Sequence, residues 1–506
     1  MIPMKRYITL AAFSLTTVCF ISCSESFLEV DPRATQIESN YYRNPEEAFN
    51  GLVAAYDPMG WEGKGGYGNF VSFVAGSDEA YSGGGSSSDL WYLQTMNDYR
   101  LLDPANGPQL DFWSKGFTGV SRVNTLLNVL NEKEIEGLDD AVKARYIAEA
   151  KVLRAYYYFD LIRIFGNIPL ITAPLSTNEF YEVTQVSPAE VYAQIETDLK
   201  EAIAEANLPD KVPAATEGGR ITKGIAAALL GKVMVYEEKW GEAADYLSMV
   251  NGTPGGTSTY GYKLLDNFSD IFRPDNLFHS ESILEITHTS SAASGWGNTS
   301  RVEGFIASTM FGPRSYSGPT YDFGWGGCPI TPELITLLHN DPRYGTTVND
   351  VDSLVDLGLA TYVPGYLNTG YFVKKFAPLQ EFKNTGAGPA TINYPQNYIE
   401  IRLADTYLME AEALVEAGEN LSRAAALLNA VRHRVGLAPV DATLENIHME
   451  RRKELATEGH RWHDLVRTGQ AATVLQSKGF VAGKNERLPI PLEELTNTKL
   501  VQNPQY

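Results

Sequence analysis

Apolar residues recur at helical spacing along most of the chain. Ala226, Ala227, Leu230, Val233 and Tyr236 fall on one stripe of a helix spanning roughly 225–238. After the turn Lys239-Trp240-Gly241, a returning stripe follows in Ala243, Ala244 and Leu247. The same period marks 146–165, 191–206, 242–250, 402–417, 422–435 and 444–458. Asn44-Pro45-Glu46-Glu47 and Ser187-Pro188-Ala189-Glu190 each offer a capping side chain, proline at the first helical position and glutamate at the third, and Thr331-Pro332-Glu333 is a weaker start of the same kind. The alanines let paired helices approach closely, as in tetratricopeptide hairpins. The spacing is too irregular for a regular solenoid. The pattern therefore predicts a mostly α scaffold of helix pairs, interrupted near 60–108 and 251–330 by long irregular insertions, which in a folded body are usually functional.

Before the helices, Lys5 and Arg6 lead into an apolar stretch of residues 7–21, too short to span a bilayer comfortably but suited to an export signal. It ends Phe20-Ile21-Ser22-Cys23, which resembles a bacterial lipobox. Residues 1–22 are read as a lipoprotein signal peptide, Cys23 as the lipidation site, residues 23–43 as a tether and 44–506 as the body. With Cys19 removed and Cys23 acylated, Cys328 has no partner, so no intramolecular disulfide is expected.

The 41 Lys and Arg against 62 Asp and Glu give a net charge of −21 over 506 residues, which disfavours nucleic acid and anionic lipid as partners. A mean hydropathy of −0.20 excludes a multi-span membrane protein. The run Gly63-Lys64-Gly65-Gly66-Tyr67-Gly68 matches a dinucleotide fingerprint in spelling alone, with neither strand before nor helix after it. His460 and His463 flank Arg461, which would repel a metal, and Asp350, Asp352 and Asp356 lack the remaining positions of a calcium loop. No cofactor, metal site or catalytic residue is assigned.

The aromatic residues are more informative. Eight stand within 61–99, and Trp61, Trp91, Trp296 and Trp325, four of the seven tryptophans, lie in glycine-rich stretches where a large ring is hard to bury. Sugar rings stack their C–H faces on such side chains and direct hydroxyls at planar polar groups. The candidate glycan-binding residues are Asp78, Trp91, Tyr92, Asn97, Trp296, Asn298, Arg301, Tyr316 and Trp325.

Several segments resemble the SusD/RagB family of Bacteroidota nutrient-binding outer-membrane lipoproteins. They are residues 23–29, Glu149-Ala150-Lys151-Val152-Leu153-Arg154-Ala155-Tyr156-Tyr157-Tyr158-Phe159, residues 165–170, Arg402-Leu403-Ala404-Asp405, Glu410-Ala411-Glu412-Ala413, residues 428–432, Glu450-Arg451-Arg452-Lys453-Glu454-Leu455, Gly459-His460-Arg461-Trp462, Leu488-Pro489-Ile490-Pro491 and Gln502-Asn503-Pro504. The resemblance implies about four tetratricopeptide-like helix pairs, no catalysis, an acidic site residue at Asp78 and a SusC-like TonB-dependent transporter as partner. It makes a structural role for Trp325 as plausible as stacking. The expected function is capture of an oligosaccharide or polysaccharide at the cell surface by a lipid-anchored outer-membrane protein. A peptide-binding receptor of the RagB kind and a surface glycosidase are the alternatives.

Overall fold

The computed structural model describes residues 41–63, 68–291, 295 and 303–506. Helix α1 (Pro45–Tyr56) begins where the Asn44 side chain accepts the Glu47 amide at 3.0 Å. Helices α2 (Phe70–Gly76) and α3 (Trp91–Asn97) lie within the first insertion. They are followed by α4 (Gln109–Glu132), α5 (Asp140–Phe165), the single turn α6 (Thr177–Phe180), α7 (Pro188–Ala204), α8 (Lys223–Tyr236) and α9 (Trp240–Asn251). The capping box of Ser187 and Glu190 opens α7. From α4 through α9, with α6 set aside, each long helix packs on the next.

Strands β1 (Ser282–Ile286), β2 (Val348–Asp350), β3 (Tyr371–Val373) and β4 (Tyr398–Arg402) form two antiparallel pairs, β1 with β4 and β2 with β3. The stack resumes with α10 (Leu403–Ala417) on α9 and α11 (Leu421–Arg434) on α10, and α12 (Leu444–Glu454) and α13 (His460–Arg467) follow. The scaffold is mostly α with long insertions. Among the described residues no helix is long and apolar enough to cross a membrane.

Helix α4 is not marked by the apolar pattern, because Gly116 and Gly119 interrupt it. Both glycines are there for packing. A Cβ at Gly116 would stand 2.6 Å from Leu161 Cγ, and one at Gly119 2.4 Å from a ring carbon of Tyr157, so their absence lets α5 lie directly on the α4 backbone.

Arg402, Asp405, Glu450, Arg451 and Glu454, from segments carrying the family resemblance, take part in a buried charged network. Arg402 is fully buried; its Nε donates to Glu458 at 2.8 Å, Nη1 to Glu281 at 3.0 Å and Glu454 at 2.7 Å, and Nη2 to Glu458 at 2.8 Å and the Glu454 carbonyl at 2.9 Å. Arg343 meets Glu454 at 2.8 Å and Glu450 at 2.7 Å, and Arg434 reaches Glu281 at 2.8 Å. Asp405 is shared by Lys232 and Arg451, which ties α8 to α10 and α12. Gly459, at φ +85°, turns the chain into α13 and brings Trp462 into the core, where its Nε1 donates to Tyr99 Oη at 2.9 Å.

Candidate functional site

Three irregular segments, 80–90, 312–330 and 361–367, are joined by main-chain hydrogen bonds into one loop face. Ala80 pairs with Ile330 and Gly83 with Gly327, the Gly84 amide donates to Gly326 O at 2.9 Å, and the Cys328 amide donates to Ser82 O at 3.1 Å. The third segment joins when the Tyr366 amide donates to Gly84 O at 2.8 Å and the Val363 amide to Arg314 O at 2.9 Å. This contact requires glycine. A Cβ at Gly83 would lie 2.2 Å from Gly326 O, and one at Gly324 2.1 Å from Gly312 O. The glycine richness of these segments therefore serves close backbone approach.

Helix α3 starts from this face. Leu90 adopts the left-handed conformation at φ +47° and sets Trp91 at the first helical position, 37 % exposed. Beneath it, Gln94 accepts from Ser82 Oγ at 2.7 Å and donates to the carbonyls of Gly83 at 3.0 Å and Asp89 at 2.9 Å. Asp89 accepts the amides of Gly85 at 2.7 Å and Leu90 at 2.9 Å and pairs with Arg314 at 3.3 Å. Phe323 at 41 % and Tyr366 at 37 % are the other exposed rings on these segments. Planar side chains held by a rigid backbone are what stacking on a sugar requires.

The expected residues separate into several groups. Trp91 emerges on the face and Tyr92 is half-buried beside it, its phenol pushed upward in pKa by burial and by the charges of Asp111 and Glu493. Trp325 is half-buried against the main core, with its amide donating to Thr309 O at 2.9 Å. Tyr316 is buried rather than presented. It packs edge-on to Tyr321 at 5.6 Å and, with Val351, Ala360, Phe372 and Ala377, forms a small second core beneath the loops. Asp78 is likewise engaged: Arg461 donates to it at 2.8 and 3.1 Å and Arg452 at 2.7 Å. Burial alone would raise its pKa, but the two guanidiniums hold it below the usual carboxylate value. Asn97 closes α3 with its side-chain oxygen buried. Trp296, Asn298, Arg301 and Cys23 lie outside the described residues.

Arg314, Asp89, Phe323 and Tyr366 were not singled out by sequence. The local signals are Asp89 just before α3 and the aromatic-rich stretch that holds Phe323. Among the described residues no group of His, Cys, Asp or Glu could hold a metal ion. Cys328 is buried and free, its thiol pushed up to about 12 by burial.

Residues 27–235 match the family described as starch-binding associating with outer membrane, and residues 347–506 match the SusD family. A laminarin-binding SusD-like protein of known structure is 49% identical, with a TM-score of 0.87 over 92% of this chain and 100% of its own. The chain belongs to the SusD family. Surface glycan-binding protein A from Bacteroides thetaiotaomicron, solved in complex with laminarihexaose, is 27% identical with a TM-score of 0.82, covering 91% of this chain and 99% of its own. SusD-like protein P25 of Formosa agariphila is 24% identical over 94% of both chains. Within this SusD-family chain, Arg402, Asp405, Glu450, Arg451 and Glu454 of the resembling segments take part in the charged scaffold, whereas Trp91 and Phe323 stand on the insertions and Tyr366 on the segment hydrogen-bonded to them.

Proposed function

We propose that this chain is a non-catalytic receptor of the cell surface that captures a neutral β-glucan of the laminarin kind and delivers it to a SusC-like TonB-dependent transporter. The observation that carries this reading is the near-complete likeness, at 49% identity, to a laminarin-binding SusD-like protein. The partly exposed rings of Trp91, Phe323 and Tyr366, carried on or beside segments that hydrogen-bond to one another, support it, since they offer stacking surface without carrying charge. The net charge of −21 agrees with an uncharged ligand. A glycosidase needs two carboxylates across the scissile bond, whereas on the described part of this face Asp89 is committed to Arg314 and two backbone amides.

In this reading Cys23 carries the acyl chains that hold the protein on the outer membrane, residues 23–43 are the tether, residues 44–506 form the receptor body, and Trp296, Asn298 and Arg301 are further sugar-binding residues. Calorimetric titration of the soluble mature chain with laminarin and with a starch oligosaccharide tests the ligand. Heat with laminarin and intact glucan afterwards are the expected results; no binding, or shortened products, would sink the reading. Recovery of a large β-barrel with the protein from native outer membranes in mild detergent tests the partner.

A further inference from the structure

Arg314 stands where the three segments of the loop face meet. Its backbone bridges to Gly324, its carbonyl accepts the Val363 amide at 2.9 Å, and its Nη1 meets Asp89 Oδ2 at 3.3 Å. A Cβ at Gly365 would lie 3.8 Å from Arg314 Cδ. Gly324 follows Phe323, Gly365 precedes Tyr366 and Asp89 stands two positions before Trp91, so Arg314 touches a close chain neighbour of each exposed ring.

The side chain rests in a built seat. A Cβ at Gly85 would lie 2.7 Å from Arg314 Cζ, 2.8 Å from Nη2 and 3.0 Å from Nη1. Near-equal distances to three atoms of one plane place the flat face of the guanidinium over Gly85. Asp89 holds its edge, and that carboxylate is itself fixed by the amides of Gly85 at 2.7 Å and Leu90 at 2.9 Å.

What the seat holds is a set of donors that the fold leaves unspent. Arginine carries five N–H donors in a rigid fork. Buried Arg402 gives all of its donors to the scaffold, whereas Arg314 is 38 % exposed and, among the described residues, Asp89 is the one acceptor it reaches, through Nη1. An exposed pair of this length adds little to stability. Folding therefore does not account for a glycine seat and a fixed carboxylate beneath this side chain.

Rings and donors do different things for a sugar. A ring face accepts any pyranose of suitable shape, whereas a fixed fork requires oxygens at set places around the stacked ring. The linkage of a glucan decides which of its hydroxyls stay free. A fork held among stacking rings thus distinguishes glucans that the rings alone accept equally, and the Asp89 carboxylate offsets its charge, which suits a neutral ligand.

We propose that Arg314 is the hydrogen-bonding anchor of the glycan site and sets its preference for the laminarin linkage, donating to sugar oxygens from the N–H groups that Asp89 does not take. This rests on the glycan reading above.

The test is calorimetry of the soluble mature chain with laminarihexaose and with maltohexaose, which share sugar and length and differ in linkage, together with a thermal melt of each variant. Arg314→Met keeps the stem and removes the donors. Gly85→Ala keeps the donors and displaces their seat; Gly85 lies outside the left-handed region, and the three atoms nearest to its added Cβ all belong to the guanidinium. Arg314→Met is expected to weaken laminarihexaose about tenfold and to narrow its lead over maltohexaose, with a melting temperature close to wild type. Gly85→Ala should weaken laminarihexaose about threefold in the wild-type background and change nothing further in the Arg314→Met background. Unchanged laminarihexaose affinity in Arg314→Met, a lead over maltohexaose that stays as wide, or additive losses in the double variant would overturn the anchor while the loop-face reading stands. If Arg314→Met fails to fold, Gly85→Ala decides alone, and wild-type affinity in that variant overturns the proposal. A wild-type chain that binds neither glucan overturns the glycan reading itself.

Discussion

At Arg402 all five guanidinium donors meet an acceptor and the residue is out of contact with water, whereas at Trp91 more than a third of the residue remains in solvent above segments joined mainly through their backbones. Both regions are rigid for different reasons. Around Arg402, rigidity comes from side chains that cannot be separated without leaving a charge unpaired in the core. Around Trp91 it comes from glycine, which lets three segments hydrogen-bond at distances a Cβ would forbid and leaves the side chains free to face outward. The same chain thus separates the groups that hold the fold from the groups available to a ligand.

The most forceful way to break this comparison is Arg402→Ala. It takes one cationic partner from each of Glu281, Glu454 and Glu458, leaving them to Arg434, Arg343 and Lys375, and removing one partner of a buried pair costs about 3–5 kcal/mol. Urea unfolding should show a large fall in midpoint, and glucan binding should survive at temperatures where the variant is still folded. A midpoint equal to wild type would mean that the network is an ornament on a core held by apolar packing.

Next in size is a pH effect at the junction of the two regions. Glu79, adjacent to Asp78, is raised to about 8 by burial and by the charge of Asp78, and Glu62 is raised to about 7 by burial. A carboxyl raised in the folded state binds more protons there than in the unfolded chain. Its stabilising contribution is therefore complete below about pH 4.5 and is lost as pH rises through the folded value. Each of these two carboxyls therefore takes stability away from pH 5 to 7, by at most about 1.4 kcal/mol per pH unit, while buried His288 and His460, lowered to about 3 and about 4, add stability as pH rises to about 6.5. Lys478, lowered to about 7 by burial, acts in the opposite sense only at higher pH. Glu79→Gln removes one of the falling contributions, so the slope of stability against pH between 5 and 7 should become more positive than in wild type. An unchanged slope in that variant would show that Glu79 ionises at its ordinary pH.

Which parts of this were legible in the sequence follows from how local each cause is. The α8–α9 hairpin reads directly, because its stripes and its turn all lie within 225–250. The caps at Asn44 and Ser187 read equally well, since donor and acceptor are three residues apart. Helix α4 did not, because its glycines answer to Leu161 and Tyr157 on the neighbouring helix. β1 and β4 pair across more than a hundred residues with irregular register, beyond the reach of any window. At the loop face, Trp91 was legible as a large ring in a glycine-rich stretch. Tyr316 looked the same and lies buried, because only the folded chain decides that Tyr316 and Tyr321 fill the second core while Phe323 is turned outward. Asp78 read as a ligand group for a similar reason: Arg452 and Arg461, which occupy it, come from more than 370 residues away.

Trp91→Ala tests the outward-facing region itself. Losing the ring should weaken a laminarin complex about tenfold, while the melting temperature stays close to wild type because the ring is not a core element. Weakened binding together with a collapsed melt would move Trp91 to the scaffold side of the comparison.

The smallest expected effect is at Phe323. Its neighbours are fixed on both sides: Asp322 is buried and bonded to Lys383 at 2.9 Å and Tyr394 at 3.2 Å, and Gly324 lies against the Gly312 backbone. The backbone beneath the ring is therefore set before any ligand arrives, so the ring can add contact area at little ordering cost. Phe323→Ala should weaken laminarin binding about threefold, through the loss of one partly exposed stacking surface, and should shift stability by no more than about 0.5 kcal/mol. Calorimetry and urea unfolding on the same preparation separate the two quantities. Unaltered affinity would confine the platform to the α3 side of the face. A clear loss of stability with no loss of affinity would show that Phe323, like Tyr316, belongs to the packing beneath the loops.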